Sequence, residues 1–421
     1  MVSGSDWNTV SIGELLSKTK SYIQTGPFGT VLSASEFVNY GIPVISVREI
    51  REGFIRVCKE TPCVSDDTYK RLDKYSLHIN DIVFARKGSV DRSAIIATGS
   101  EKYFLGSDGI YLRLDSKSIC SKFVLYSIHR NEIKNFILQS AYGSTMAGLN
   151  EKILSEIPIA FPPTLEEQEK IAEALSDMDG LIASLEKLIA KKKAIKQGAM
   201  QELLTGKKRL PGFDGEWEEV GFGDTFAFIP NNAFTRSEMA DSGQVKNIHY
   251  GDILTKFGAY IHAENPAIPY ISETVDISRF SEKNYVQSGD IIMADTAEDE
   301  TVGKALEVVD VACPMLSGQH TLLCRPKVRF APKFLGYYLN ADCYHSQLLS
   351  YIVGTKVSSV SKASVAATKL IVPTYEEQQA IASILSDMDA EIEALEQKRQ
   401  KCRQTKQGMM QQLLTGKIRL I

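Results

Sequence analysis

Residues 163–210 read PTLEEQEKIAEALSDMDGLIASLEKLIAKKKAIKQGAMQELLTGKKRL, and residues 373–420 read PTYEEQQAIASILSDMDAEIEALEQKRQKCRQTKQGMMQQLLTGKIRL. The two segments align without a gap at an offset of 210 residues and are identical at 28 of 48 positions. The same offset relates Trp7 to Trp217, so the whole chain of 421 residues is two copies of one larger unit. Each copy is a divergent block followed by a preserved segment.

Both preserved segments are predicted to be long helices. Each opens with a Thr-x-x-Glu start signature, at Thr164 and Thr374, and ends with Thr-Gly-Lys. Between these signals, apolar residues recur at alternating spacings of four and three, the heptad seam of a coiled coil. We expect the two helices to pair antiparallel, because the ends of the block between them should lie close together. A helix over 164–205 would be about 60 Å long and would act as a spacer.

The repeat predicts four segments, at residues 1–162, 163–210, 211–372 and 373–421. We expect an α/β (α+β) fold, in which two similar mixed blocks are separated by the helix pair in a pseudo-two-fold arrangement. Strands are predicted at 42–47, 82–85, 94–97, 245–248 and 291–294. A helical stretch is predicted before each exit from a block, at 122–138 and 333–349. A helical hairpin that serves only for packing is the competing interpretation, but it does not explain why whole units are duplicated.

Composition is that of an ordinary globular protein, with 43% apolar and 24% charged residues. The net charge of −4 is unevenly spread, since residues 1–163 carry +2 and residues 211–373 carry −7. Seven cysteines without a CxxC pair predict reduced thiols and no metal site. The amino terminus lacks a signal-peptide pattern and no window has 18 uninterrupted apolar residues, so we expect a cytoplasmic protein without membrane spans.

Each variable block begins near a Trp and ends in P-x-x-x-E-Q-x-x-I-A, followed by the heptad helix and LLTGK-x-R-L. This organisation resembles the specificity subunit of type I restriction–modification systems over essentially the entire chain. The residues that carry the resemblance are Glu167-Gln168, Ile171-Ala172 and Leu203-Leu204-Thr205-Gly206-Lys207, with Glu377-Gln378, Ile381-Ala382 and Leu413-Leu414-Thr415-Gly416-Lys417 in the second copy. In that family the variable blocks are target recognition domains that each read half of a split DNA sequence.

The resemblance implies a non-catalytic reader of double-stranded DNA whose helices set the separation of the half-sites. It also implies two methyltransferase subunits and restriction or motor subunits as partners, with S-adenosylmethionine, ATP and Mg expected only there. Because the two blocks differ, we expect an asymmetric target. The expected docking surface is the outer face of each helix start, at Glu166, Glu167, Gln168, Glu376, Glu377 and Gln378. An acidic first turn also complements the helix dipole without any partner.

Candidate DNA contacts are proposed from side-chain chemistry. Arg and Lys bind guanine edges or phosphate, Asn and Gln read adenine, and Ser and Thr hold phosphate. The candidates in the first block are Arg48, Arg51, Arg86, Lys87, Arg92, Tyr142, Ser144 and Thr145. Those in the second block are Asn247, His249, Tyr250, Gln319, His320, Lys356 and Ser358. The alternative is that these are solvated surface or turn residues.

The second block departs from the first where Asp295 and Thr296 replace Arg86 and Lys87. Three more acidic residues follow at 298–300. Clustered carboxylates repel phosphate, so we expect a solvated loop that faces away from DNA or toward a partner.

Catalytic signatures are missing from the sequence. It contains no GxxxxGK[ST], HExxH or GxSxG pattern. The segment Phe161-Pro162-Pro163-Thr164 shares only its prolines with the NPPY motif of amino-methyltransferases. A free-standing DNA-binding or coiled-coil scaffold protein is the remaining alternative, and co-purification of methyltransferase chains would distinguish it.

Overall fold

The structure is a computed structural model that describes residues 7–99, 102–142, 148–352 and 357–420, without the side chain of Tyr142. The chain forms two compact units. Unit 1 comprises Met1–Glu186 together with Lys398–Ile421, and unit 2 comprises Lys187–Gln397. Each unit therefore contains one divergent block and parts of both long helices, a division that cuts across the four segments expected from the repeat.

Unit 1 contains a mixed α/β block. Its strands are β1 (Asn8–Ser11), β2 (Tyr22–Thr25), β3 (Phe37–Val38), β4 (Ile42–Ile45), β5 (Cys63–Val64), β6 (Ser76–Leu77), β7 (Ile82–Ala85), β8 (Ser93–Ile95), β9 (Tyr103–Leu105), β10 (Gly109–Arg113) and β11 (Pro158–Phe161). Its helices are α1 (Ile12–Lys18), α2 (Asp66–Arg71), α3 (Ser121–Ile128), α4 (Asn131–Tyr142) and α5 (Glu151–Ser155), before the long helix α6 (Leu165–Leu203). The sheets have the strand orders β2-β10-β7-β8, β3-β5-β4-β9-β6 and β1-β11.

Unit 2 repeats this plan. Its strands are β12 (Glu218–Gly221), β13 (Phe226–Ile229), β14 (Met239–Ala240), β15 (Lys246–Ile248), β16 (Tyr260–His262), β17 (Tyr270–Ile271), β18 (Ile291–Ala294), β19 (Thr296–Ala297), β20 (Ala305–Asp310), β21 (Met315–Ser317), β22 (Thr321–Pro326), β23 (Ser358–Ser359) and β24 (Lys369–Val372). Its helices are α7 (Phe222–Thr225), α8 (Tyr250–Thr255), α9 (Phe334–Leu339), α10 (Asp342–Leu349) and α11 (Lys362–Ala366), before the long helix α12 (Tyr375–Leu413). The sheets have the orders β13-β22-β18-β20-β16, β14-β17-β15-β21, β12-β24 and β19-β23.

The two blocks share a pairing scheme. Strands β7 and β10 pair antiparallel, as do β18 and β22, while β4 pairs parallel with β9 as β15 does with β21. A buried aspartate holds an arginine of the neighbouring strand at 2.7 Å in each block, Asp81 with Arg113 and Asp290 with Arg325. The predicted α/β fold with two similar blocks is therefore confirmed, and β4, β7, β8, β15 and β18 lie within two residues of their predicted ends.

The helical stretch predicted before each exit is present in both blocks, where it is divided into two shorter helices. In unit 2 the break lies at Asn340. Its side-chain amide donates to the carbonyls of Ala305 and Gly336, each at 2.7 Å, and its oxygen accepts the N–H of Ala305 at 3.0 Å. This side chain binds the backbone of β20 and ends α9. The partner strand is distant in sequence, so helical periodicity alone does not reveal the break.

The long helices α6 and α12, each of 39 residues, pair antiparallel within both units. In unit 2, Lys193 binds Glu396 at 2.7 Å and Lys196 binds Asp389 at 2.6 Å, so residue numbers rise on one helix as they fall on the other. In unit 1 the corresponding pairs are Arg403 with Glu186 and Lys406 with Asp179. The expected antiparallel pairing is confirmed inside each unit, and the polar part of the seam consists of ion pairs.

A buried carboxylate at the start of each long helix holds the end of the other helix. In unit 2, Glu377 is 1% exposed, and both its oxygens accept hydrogen bonds from Arg209 at 2.8 Å. The Trp217 indole N–H also donates to Glu377, at 3.2 Å. We call this set, with Gly206, the internal joint. Gly206 has φ 67°, and a Cβ there would lie 3.4 Å from the Trp217 ring.

Unit 1 contains a corresponding arrangement, which we call the terminal joint, although within the described residues the indole N–H of Trp7 has no hydrogen-bond acceptor. Glu167 is 0% exposed and accepts both guanidinium hydrogen bonds of Arg419. Trp7 packs on Gly416, where a Cβ would lie 2.9 Å from the ring. All residues of the terminal joint belong to unit 1, and all residues of the internal joint belong to unit 2. Each joint therefore holds together segments of one unit that are distant in sequence.

Replacement of Arg419 or Arg209 by Ala is expected to lower the free energy of unfolding by about 3 kcal/mol, because either change leaves a buried carboxylate unpaired. Urea denaturation followed by circular dichroism measures the effect. The control is Arg403→Ala, whose partner Glu186 is 43% exposed, and which should cost less than about 1 kcal/mol. Equal effects for the three variants would contradict the proposed role of the joints.

Burial of Glu307, 2% exposed, raises the pKa of its carboxyl to about 7, although the carboxylate accepts the N–H groups of Lys333 and Gly336 at the start of α9. The folded protein thus binds this proton more tightly than the unfolded chain. The protonated Glu307 carboxyl contributes its full stabilisation of the folded state below pH 4.5, the ordinary pKa of a glutamate. This contribution is lost as the pH rises through 7. We expect wild type, relative to Glu307→Gln, to lose up to about 3 kcal/mol of unfolding free energy between pH 4.5 and 8. Urea titrations across this range test it, and parallel curves for the two proteins would refute it.

Candidate nucleic-acid interface

In unit 1, two loops meet at the ends of β7 and β10 and form what we call the basic loop pair. The backbone N–H of Arg86, directly after β7, donates to the carbonyl of Asp108 at 2.8 Å. The ammonium of Lys87 lies 3.0 Å from the carboxylate of Asp108. The Arg86 guanidinium lies over the ring of Phe28, 5.3 Å from its centroid, and Phe28 is 58% exposed. An exposed aromatic ring and two cations therefore share one surface.

Close backbone contact holds this surface together. A Cβ at Gly26 would lie 1.9 Å from the carbonyl oxygen of Gly106, so glycine is required where the Phe28 segment crosses the loop before β10. Arg92 lies in the same β7–β8 turn, with its N–H bonded to Ser89 at 3.0 Å. The basic loop pair thus brings Arg86, Lys87 and Arg92 together, as expected from their closeness in sequence.

Arg48 and Arg51 lie in a different turn, the one that follows β4. Arg48 is exposed, Arg51 is half-buried, and this turn joins β8 through a bond of 2.8 Å from the N–H of Gly53 to Ser93. Their exposure is compatible with a contact to phosphate.

In unit 2, the equivalent loops bring together three of the predicted readers. The edge of the Tyr250 ring meets His320, with 5.4 Å between the ring centroids, and the N–H of Tyr250 donates to the carbonyl of Gln319 at 3.4 Å. Ser358 in β23 pairs with Ala297 in β19, directly after Asp295 and Thr296. Residues that are far apart in sequence thus form one surface, which we call the histidine loop pair.

The basic loop pair and the histidine loop pair occupy equivalent positions with reversed charge. The N–H of Asp295 donates to the carbonyl of His320 at 3.1 Å, as that of Arg86 does to Asp108. The carboxylate of Asp295 lies 3.6 Å from the His320 ring nitrogen. The same backbone hydrogen bond therefore joins Arg86 to Asp108 in unit 1 and Asp295 to His320 in unit 2.

Two predicted readers, Asn247 and His249, are corrected by the structure because they are buried. Asn247 is 0% exposed and accepts a hydrogen bond from the Asn232 amide at 2.8 Å. His249 is 6% exposed, and a Cβ on Gly318 would lie 2.4 Å from its ring. Both side chains support the histidine loop pair from beneath. Every residue of β15 is buried, so its sequence lacks the alternation that distinguishes inner from outer side chains.

The expected docking surface also changes. Glu167, Gln168, Glu377 and Gln378 are all at most 4% exposed. The two glutamates belong to the joints, and the two glutamines accept backbone N–H groups of Cys120 at 2.9 Å and Ala331 at 3.0 Å. An outer-face role for these four residues is therefore wrong, whereas Glu166 and Glu376 are exposed as expected. Helical periodicity did not identify them as buried because their partners come from other elements.

Other predicted residues lie outside the description or in solvent. Ser144, Thr145, Lys356 and the side chain of Tyr142 fall outside the described residues. The acidic stretch at 298–300 is exposed, and Asp299 accepts the N–H of Thr301 at 2.9 Å. Asp295 was expected to lie with this stretch in a loop that faces away from DNA or toward a partner, but it lies beside the candidate His320 in the histidine loop pair.

Sequence reasoning missed Phe28 and Asp108 as members of the basic loop pair. The Gly106-Ser-Asp-Gly turn before β10 was the available signal for Asp108. Within the described ranges, no group of three His, Cys, Asp or Glu side chains is placed to hold a metal ion. The helices in those ranges include none that is both long and apolar enough to cross a membrane.

Comparison with known proteins gives a consistent assignment. The family model for the type I restriction modification DNA specificity domain matches residues 4–197 and again 214–403. The MjaVIII type I restriction enzyme specificity subunit of Methanocaldococcus jannaschii is 24% identical over 436 residues, which cover 99% of this chain and 93% of that protein. A putative type I restriction enzyme specificity subunit of the same organism, MjaX, is 25% identical over 90% of this chain and 88% of that protein.

Solved structures share the fold. The S subunit of a type I restriction-modification system from M. genitalium superposes with a TM-score of 0.59 at 15% identity, covering 98% of this chain and 97% of that one. A chain from a study of complex assembly and conformational transition of the type I R-M system gives 0.55 at 15% identity, covering 97% of this chain and 98% of that one. Because the family model matches both repeats and so accounts for most of the sequence, the chain belongs to the type I restriction–modification DNA specificity family.

Proposed function

We propose that this specificity subunit reads a bipartite, asymmetric double-stranded DNA target, with one half-site for each divergent block. The observation that carries the proposal is the reversed charge of two equivalently placed loop pairs. The two loop pairs share a backbone arrangement but carry different side chains, as expected of two domains that read different DNA half-sites. Arg86 and Lys87 suit guanine or phosphate, whereas Tyr250, Gln319 and His320 offer an aromatic face and both donors and acceptors.

The paired helices set the gap between the half-sites in this proposal. Support comes from the two joints, which bind the end of each long helix to the start of the other and so keep α6 and α12 in register. The length of a rigid helix is proportional to its number of residues, at about 1.5 Å per residue. A protein with two readers must match the spacing of its half-sites, so helix length should select the gap.

Methylation and cleavage belong to partner subunits in this proposal. Two methyltransferase subunits and the restriction or motor subunits would supply the chemistry, with S-adenosylmethionine, ATP and Mg bound there, in the cytoplasm. The charge of −7 over residues 211–373 supports the need for such partners, since phosphate neutralisation provides much of the affinity for DNA. The exposed first-turn residues Glu166 and Glu376 remain candidates for docking.

Replacement of Arg86 and Lys87 together by Ala is expected to weaken binding of the mapped target duplex by about 1–3 kcal/mol and to reduce the slope of log K against log salt by up to about 2. Fluorescence anisotropy of the complex with its methyltransferase partners, at several salt concentrations, measures both quantities. The control is Lys102→Ala, an exposed lysine that pairs with Asp66 elsewhere in the block. An unchanged affinity and slope in the double variant would exclude the basic loop pair from the DNA interface.

Insertion of four residues after Glu186 and four after Gln397 lengthens both helices by about 6 Å at the boundary between units. The ion pairs inside each unit are retained, so the recognised gap is expected to grow by about two base pairs at roughly 3.4 Å each. Methylation-site mapping in a host that carries the complete system reads the gap directly. A four-residue insertion after Asp214, in an exposed turn, is the control and should leave the gap unchanged. An unchanged gap in the helix variant would defeat the spacer model.

A further inference from the structure

In unit 2, one carboxylate joins the divergent block to both long helices. Tyr337 of α9 donates its hydroxyl to Oδ2 of Asp389 on α12 at 2.6 Å. Lys196 of α6 donates to Oδ1 of the same carboxylate, also at 2.6 Å. The Lys196 ammonium also lies over the Tyr337 ring, 5.1 Å from its centroid. We call these residues the second tyrosine–aspartate–lysine cluster.

Unit 1 contains the same cluster. Tyr126 of α3 donates its hydroxyl to Oδ2 of Asp179 on α6 at 2.8 Å, and Lys406 of α12 donates to Oδ1 at 2.6 Å. The Lys406 ammonium lies 5.2 Å from the centroid of the Tyr126 ring. These residues form the first tyrosine–aspartate–lysine cluster. In unit 1 the aspartate comes from α6 and the lysine from α12, whereas in unit 2 the aspartate comes from α12 and the lysine from α6. The donors, the acceptors and the ring contact are otherwise the same.

Open space surrounds both clusters. In unit 2, a cavity of about 390 Å³ is lined by Lys196, Asp389 and Asn340, and another of about 370 Å³ is lined by Lys196 and Tyr337. In unit 1, a cavity of about 460 Å³ is lined by Tyr126, Asp179 and Lys406. Close apolar packing would fix the angle between the divergent block and the long helices of its unit. At these positions the cavities interrupt that packing. The apolar core still joins each block to the long helices, for example through Leu175 in unit 1 and Leu385 in unit 2. The hydrogen bonds of the cluster add a directional contact at the edge of that core.

The tyrosines also contact the interior of their own blocks. Tyr337 is 0% exposed, and its ring meets that of Tyr260 in β16 at 5.9 Å between centroids. Burial, and then the Asp389 carboxylate, hold the pKa of Tyr337 well above its usual range, so the hydroxyl keeps its proton and remains a donor. Through Tyr337, the sheet of the block is connected to one oriented carboxylate on the helices.

We propose that the two tyrosine–aspartate–lysine clusters are positioning elements that set the orientation of each divergent block on the helix pair, and thereby the gap that the protein accepts. The inference rests on the proposed reading of a bipartite target. A hydrogen bond from a buried hydroxyl to a carboxylate depends on direction, and a second donor from the other helix fixes that carboxylate. Rotation of α9 about the helices would break the bond, whereas purely apolar contact would allow some sliding.

The test variants are Tyr337→Phe and Tyr126→Phe, which remove one hydroxyl and leave the ring. The matched control is Tyr338→Phe, the next residue of α9, whose hydroxyl accepts the N–H of Ile371 at 2.8 Å within the block. Each full-length variant is produced with its methyltransferase partners. Initial methylation rates are measured on duplexes that carry the mapped wild-type target with its native gap, one base pair fewer and one more. Thermal melting of each variant is recorded alongside.

The expected result is a loss of gap preference of about tenfold in Tyr337→Phe and Tyr126→Phe, the change that corresponds to one hydrogen bond to a charged group. The half-site bases should be unchanged, because the reading loops are intact. Tyr338→Phe should keep the wild-type preference, even if its melting temperature falls as far. If the tyrosines contributed only to stability, the melting temperature would fall in all three variants. The gap preferences of the test variants would then not differ from that of the control.

Three other outcomes overturn the inference. Wild-type gap preference in both test variants shows that the clusters do not position the blocks, and it leaves the proposed function standing. Equal loss in Tyr338→Phe assigns the effect to general loosening of the block. No gap preference in the wild-type complex overturns the proposed function itself, and the inference with it. If Tyr337→Phe does not fold, Lys196→Met, which removes the second donor and the ammonium over the Tyr337 ring, is judged by the same criteria.

Discussion

The pairing of a buried glutamate with an arginine from the far end of the partner helix is the constraint on which the rest of the structure depends. Glu167 and Glu377 are almost inaccessible to solvent, and a buried carboxylate without a cationic partner strongly destabilises the folded state. Arg419 and Arg209 supply the pairing with bidentate geometry. The requirement brings the end of each helix back to the start of the other, and the antiparallel arrangement inside each unit follows.

This closure explains which parts of the sequence are preserved between the copies. The glutamate of the Glu-Gln pair, the glycine of the Leu-Leu-Thr-Gly-Lys ending and the following arginine all contribute to a joint, and all three recur in both halves. The loop pairs are held by backbone hydrogen bonds instead, from Arg86 to Asp108 and from Asp295 to His320. Backbone bonds tolerate any side chain, and the loops can therefore carry opposite charge on one frame. A backbone frame shared by the two blocks, with different loop side chains, is what the proposed reading of two unlike half-sites requires.

The joints and the tyrosine–aspartate–lysine clusters act at different places along the helices. A joint closes the end of a unit through a buried ion pair and a glycine that packs against tryptophan. A cluster lies nearer the middle of the helices and connects them to the block through a directional hydrogen bond, beside cavities that apolar side chains do not fill. The first kind of contact provides stability, and the second provides orientation. In the proposed function, the two properties are separately necessary, because a stable reader at the wrong angle would meet the wrong bases.

The sequence by itself determined the duplication, the two long helices, the α/β class of the blocks and the positions of five of the 24 strands in the described part of the chain, because periodicity and capping are local signals. It also placed Tyr250, Gln319 and His320 among the candidates, although it did not predict that they would meet. Only the tertiary structure decided that Asn247 and His249 are buried beneath that surface and that Glu167 and Glu377 face inward. It also revealed that Asn340 divides a predicted helix, and that Phe28 lies beside Arg86. Each of these outcomes depends on a partner from a distant part of the chain, and local patterns carry no information about such partners.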